Sequence, residues 1–244
     1  MTKLVVDSDK YGYQCEFAIS EAYNSAVKDI VRKRFAEANC EWNDFVFGVG
    51  NATITKADME RIEAQLLANG YRFEPSAISS SIERPEAYKD AGLDQADFSF
   101  EHPDAPTAEA DHNGRELRGE GDNVVPYEEN LFGVARYVRT NEKVLDYLNN
   151  GVPENTIAIV DDSGGTLTAP ILEQFKGVLC AGGTTRSHLA ILTREYGIPC
   201  FMNVRLSGIK DEQHLEMETT ARAKTGDDYA SGTHASANVW RHNK

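Results

Sequence analysis

Ala181-Gly182-Gly183-Thr184-Thr185-Arg186-Ser187-His188-Leu189-Ala190-Ile191-Leu192-Thr193-Arg194-Glu195-Tyr196-Gly197-Ile198-Pro199-Cys200 decides how this chain is read. The apolar run Gly177-Val178-Leu179-Cys180 ahead of it reads as a buried strand. A glycine pair then turns the chain, and hydroxyl and guanidinium side chains follow. Next comes a histidine at the mouth of an amphipathic helix. Gly197 supplies a left-handed cap and Pro199 stops the helix. The arrangement sets the His188 imidazole where free backbone N–H groups and the positive end of a helix dipole converge, a setting suited to an anionic group.

Neutral imidazole is a nucleophile near physiological pH, its unperturbed pKa being about 6.5. Attack on phosphorus gives an N-phosphorylated intermediate, which divides one difficult transfer into two easier ones. Ser187 and Thr185 can donate hydrogen bonds to phosphoryl oxygens, and Arg186 can add a charge-assisted contact. The competing reading makes His188 an ordinary helix-start residue with Ser187 as N-cap. The glycine pair, the helix and the Gly-Ile-Pro ending, all in register, favour a phosphorylated histidine.

At these residues the chain resembles the phosphohistidine (swivelling, or mobile) domain of the phosphoenolpyruvate-utilising enzymes, the family of pyruvate phosphate dikinase, phosphoenolpyruvate synthase, rifampicin phosphotransferase and phenylphosphate synthase. Gly182, Gly183, Ser187, His188, Arg194 and Gly197-Ile198-Pro199 fall on its pattern. One residue more than usual separates Gly183 from Ser187, and Arg186 stands where a threonine usually precedes the Ser-His pair. The likeness spans about residues 150 to 220. Asn155-Thr-Ile-Ala-Ile-Val160 resembles the opening strand, Leu167-Thr168-Ala169-Pro170 the segment before the strand at Gly177, and Leu215 to Glu218 the closing strand. The resemblance implies His188 as the catalytic residue, with Gly182, Gly183, Thr184, Thr185, Arg186 and Ser187 around the phosphoryl group.

The 244 residues carry 25 Lys and Arg against 39 Asp and Glu, for a net charge of −14. That balance argues against nucleic acid and anionic membrane surfaces as partners. No apolar run has the length of a membrane span, and Met1-Thr2-Lys3 leads into no secretory signal. Four cysteines without metal or redox spacing complete a picture that fits the cytoplasm; Cys180 and Cys200 read as small buried hydrophobes. None of the six histidines stands in metal-ligand company, so no metal site is expected in this chain.

The fold class expected is α/β: a compact swivelling domain of β/α layers, preceded by a small α/β or mostly helical N-terminal region and a long acidic linker. Residues 1–75 form the N-terminal region, with a helix from Phe17 to Ala38, a strand at Phe45–Gly50 and a helix from Thr55 to Leu67. Residues 76–129 read as the flexible acidic linker. Residues 130–224 form the histidine domain, led in by a helix over Leu131–Leu148. Residues 225–244 read as a frayed polar tail.

The resemblance implies a phosphohistidine-carrying subunit of a multi-subunit phosphotransferase, incomplete without its partners. His188 would take a phosphoryl group from a subunit that binds ATP or phosphoenolpyruvate and pass it to a small acceptor such as an alcohol, phenol or keto acid. The implied partners are an ATP-grasp-type nucleotide-binding subunit and an acceptor-binding subunit. ATP or phosphoenolpyruvate, with Mg²⁺, belongs on such a partner and no cofactor on this chain alone. Two alternatives stay open: a non-catalytic interaction subunit that kept the fold, and a phosphoenolpyruvate-dependent protein phosphocarrier.

Overall fold

Apolar residues in the C-terminal half alternate between two packed layers, and that alternation builds the domain. The computed structural model describes residues 17–90, 98–161 and 164–242. They divide into two units, the smaller holding residues 17–74 and 84–89. The larger contains a closed barrel of seven strands in the order β1-β5-β4-β3-β2-β6-β7. These are β1 (Arg115–Asn123), β2 (Leu131–Tyr137), β3 (Thr156–Val160), β4 (Gly177–Cys180), β5 (Cys200–Leu206), β6 (His214–Met217) and β7 (Ala237–His242). Strands β2, β3, β4 and β5 run parallel, whereas β6, β7 and β1 close the circle in antiparallel pairings.

Ile157, Ile159, Leu179, Phe201, Leu215 and Met217 fill one core inside the barrel. Their neighbours Ala158, Val160, Val178, Cys180, Cys200 and Met202 face a second core under the helices. That second layer is α6 (Asn141–Asn150), the short α7 (Gly164–Leu167), a 3-10 helix (Ala169–Gln174) and α8 (His188–Tyr196), which carry the chain between parallel strands. Cys180 and Cys200 are buried in it, and burial pushes the Cys200 thiol up to about 12. One irregularity matters for the site: the β1–β5 register shifts between Glu120 and Asp122, with the extra residue on β5. Asn203 sits there at φ 49°. Below the bulge Phe201 points into the barrel, and above it Val204 and Leu206 do.

The smaller unit is helical: α1 (Ala18–Ala38), α2 (Trp42–Asp44), a π-helical stretch (Phe45–Val49), α3 (Gly50–Thr53) and α4 (Lys56–Ala68). The α4 start is as expected, with Thr55 and Asp58 forming a reciprocal capping box. The strand expected at Phe45–Gly50 is instead helical. Phe45 is buried edge-on to Phe35 of α1 at 5.3 Å, and Gly50 leaves room for its ring. Tertiary packing overrode a run too short to fix its own period.

Three further expectations are corrected. Leu131–Tyr137 is a strand and not the start of a helix, because Leu131, Gly133, Ala135 and Tyr137 alternate onto the barrel side. A side chain at Gly133 would collide with Ile157 and the Asn155 carbonyl. The helix begins only after the Thr140 N-cap. Second, the stretch 76–129 is not simply an acidic linker. It holds α5 (Ile78–Glu83) and strand β1, and Phe98 and Phe100 pack on the inner core; residues 91–97 lie outside the described residues. The acids of β1 are paired: Glu116 with Arg118 and Arg241, Glu120 with Arg205, and Asp122 with Lys224. Third, the expected frayed tail supplies α9 (Gly226–Ser231) and β7, which pairs with both β1 and β6. No helix among the described residues is long and apolar enough to cross a membrane.

Candidate functional site

The loop between β4 and α8 is pinned at both ends and leaves His188 outside. At its start the Gly182 carbonyl accepts from the Asn203 N–H at 3.1 Å, so the bulge on β5 anchors the glycine turn. Gly183 follows at φ 74°, in the left-handed region. A Cβ there would stand 2.6 Å from Ser187 Oγ and 2.9 Å from Met202 Cε. Both reasons require glycine.

Residues 184–187 then close a tight turn. The Thr184 N–H donates to Ser187 Oγ at 2.8 Å, the Ser187 N–H to the Thr184 carbonyl at 2.9 Å, and the Arg186 N–H to Thr184 Oγ1 at 3.2 Å. Ser187 occupies the N-cap position of α8, but its hydroxyl serves this turn and does not cap the helix. The first-turn N–H groups of His188, Leu189 and Ala190 therefore face the loop without a helical carbonyl to reach. His188 is the first helical residue and is exposed, whereas Leu189 and Ala190 behind it are buried. At the far end Gly197 adopts φ 69°, and the Ile198 N–H returns to the Thr193 carbonyl at 2.8 Å.

Thr185 and Arg186 are placed differently from the expectation of direct phosphoryl contacts. Thr185 is buried and all its polar groups are engaged within the chain. Its N–H donates to Tyr229 Oη at 3.2 Å, its hydroxyl to the Lys224 carbonyl at 3.2 Å, and its carbonyl accepts from Arg194 Nη2 at 3.1 Å. It is an anchor. The Arg186 guanidinium lies over Gly226 at the start of α9, where a Cβ would overlap it. Gly182, Gly183, Thr184, Ser187 and His188 do come together in one loop.

The supporting residues were not foreseen. Asp122, buried on β1, accepts from Lys224 Nζ at 2.9 Å and from Tyr229 Oη at 2.8 Å. Burial, followed by the nearby Asp122 charge, pushes the Tyr229 phenol up to about 12, so it stays a donor at neutral pH. Arg222 forks onto Asp228 with two bonds of 2.8 Å, and Thr225 caps α9. The only local signal was the pair Thr225 and Asp228 at capping-box spacing.

Comparison with known proteins bears on this segment. No curated protein matches the chain. Residues 152–222 match the family model described as PEP-utilising enzyme, mobile domain, and this segment, which carries His188 at the head of α8, is similar to the swivelling domain of that family.

Proposed function

We propose that this chain is the phosphoryl carrier of a multi-part phosphotransferase, with His188 taking the group from one site and delivering it to another. The observation that carries the reading is the exposed imidazole at the first position of α8, beside free helix N–H groups and at the end of a loop held rigid on both sides. In the first half-reaction an imidazole nitrogen attacks phosphorus. The new N–P bond forms as the donor's bridging P–O bond breaks, and the leaving oxygen keeps the electron pair. In the second half an acceptor oxygen attacks the same phosphorus, the N–P bond breaks, the acceptor hydroxyl gives up its proton and neutral imidazole returns. The Thr184 and Ser187 hydroxyls and the first-turn N–H groups of α8 steady the phosphoryl oxygens between the two halves.

Donor and acceptor are held on partner domains or subunits. ATP with Mg²⁺, or phosphoenolpyruvate, serves as donor, and the acceptor is a small alcohol, phenol or keto acid. The covalent bond keeps the group from escaping while the domain turns from one site to the other.

The test is transfer of radiolabelled phosphate, from ATP or from phosphoenolpyruvate, to the purified chain in extract of its source cells. Acid-labile, alkali-stable label on wild type, and none on His188→Ala of unchanged melting temperature, is the expected result. Equal labelling of the two proteins would refute the carrier reading.

A further inference from the structure

The family match ends at residue 222, yet part of what restrains the histidine loop comes from beyond it and from β1 on the opposite side. Thr185 stands three residues before His188, and its N–H is held by a phenol hydroxyl 44 residues further along the chain. That same hydroxyl donates to Asp122, a carboxylate only 2% exposed. Lys224 completes the arrangement: its ammonium pairs with Asp122, its carbonyl accepts from the Thr185 hydroxyl, and its Nζ lies 4.6 Å from the Tyr229 ring centroid. A half-buried tyrosine therefore joins β1, the strap of residues 222–229 and the β4–α8 loop through one oxygen atom.

We propose that Tyr229 is a positioning residue for His188, its hydroxyl bridging Asp122 and the Thr185 N–H so that the loop presents the imidazole in one orientation. This rests on His188 being the phosphoryl carrier. Attack on phosphorus needs the reacting nitrogen in line with the leaving oxygen, and a misplacement of about 1 Å costs on the order of 10²-fold in rate. Without the phenol hydroxyl, the Thr185 N–H and one Asp122 oxygen lose their shared partner in a buried setting. The loop then has reason to leave its present path.

Tyr229→Phe keeps the ring over Lys224 and removes only the hydroxyl. Three measurements on the full chain test the proposal: melting temperature, amide hydrogen exchange over residues 183–189, and the rate of His188 phosphorylation. The rate is read twice, with the donor system in extract and with phosphoramidate. This small reagent transfers phosphate to imidazole with loss of ammonia and needs no docking. The expected result is a melting temperature lowered by several degrees with the chain still folded, faster exchange in the loop, an unchanged phosphoramidate rate and a donor-driven rate reduced about ten-fold or more. Asp122→Asn, which keeps an oxygen acceptor for the phenol, should retain more donor-driven activity than Asp122→Ala. An unchanged donor-driven rate in Tyr229→Phe would overturn the proposal, and so would unchanged exchange in the loop. If wild type takes label from phosphoramidate but from no biological donor, the carrier reading fails. The exchange arm then still decides whether Tyr229 holds the loop.

Discussion

Gly183 is the residue on which the loop geometry turns. Its left-handed backbone would cost an alanine about 1–2 kcal/mol, before the overlap with Ser187 and Met202 is counted. Gly183→Ala is expected to lower the unfolding free energy obtained from denaturant titration by at least that much and to weaken labelling of His188. An alanine that left both unchanged would mean the turn has another way to form. His188 and the glycine pair were legible in the sequence because their roles are local: a turn, a helix start and a cap lie within sixteen residues of one another. Thr185 was not. Beside its neighbours it reads as one more hydroxyl, while its partners Lys224 and Tyr229 lie 39 and 44 residues away. No local pattern announces a partner at that distance.

At the scale of elements the same division holds. Helix α4 declares its start through the Thr55–Asp58 capping box and α8 its end through Gly197, and the structure places both accordingly. Strand β2 was misread because Leu131, Val134 and Val138 fit a helical spacing as well as a strand. Only the packing of Gly133 against Ile157 decides between them. Strand β1 was missed because Arg115-Glu116-Leu117-Arg118-Gly119-Glu120-Gly121-Asp122-Asn123 has almost no apolar residue. Its charges are neutralised by cations from other strands and from the strap, which a reading along the chain cannot see.

The short element that follows titrates in a predictable way. The Arg222 guanidinium, then the Thr225 N–H and hydroxyl, hold the Asp228 carboxyl far below its ordinary value of 3.8. A depressed carboxylate contributes stability that is fully present above its unfolded pKa and lost as pH falls through the folded one. The strap carrying Tyr229 is therefore expected to be insensitive to pH from neutrality down to about 4 and to loosen only below that. Ring NMR shifts of Tyr229 followed through an acid titration would report it. Arg222→Ala should move the loosening to higher pH, and an unmoved midpoint would show that Arg222 does not hold Asp228.

Across the larger unit, strands outside the matched segment complete the barrel: β1 and β2 precede residue 152 and β7 follows residue 222. The chain was expected to find flexible joints throughout residues 76–129, but Phe98, Phe100 and β1 are built into the barrel's own packing. Any turning of the histidine domain that leaves the barrel whole must carry β1 along with it. Closure also brings Arg115, the first residue of β1, directly opposite His242, the last of β7. The two strands run antiparallel, so chain reaching residue 115 and chain leaving residue 242 pass the same corner. Mechanical load applied between these two points would peel the β1–β7 ladder one rung at a time, since its hydrogen bonds lie across the strands and along the pull. Load applied between residues 156 and 206 meets a different geometry, because Thr156 starts β3 and Leu206 ends β5, both parallel to the β4 that lies between them, so the pull runs along the strands and shears their ladders. Single-molecule pulling should therefore open the barrel at lower force through residues 115 and 242 than through residues 156 and 206, which engage the parallel strands. Equal forces would mean that the ladder is not the first part to yield. On this geometry the barrel has one corner at which it must not be pulled, and the carrier role proposed above would require any partner to grip it elsewhere.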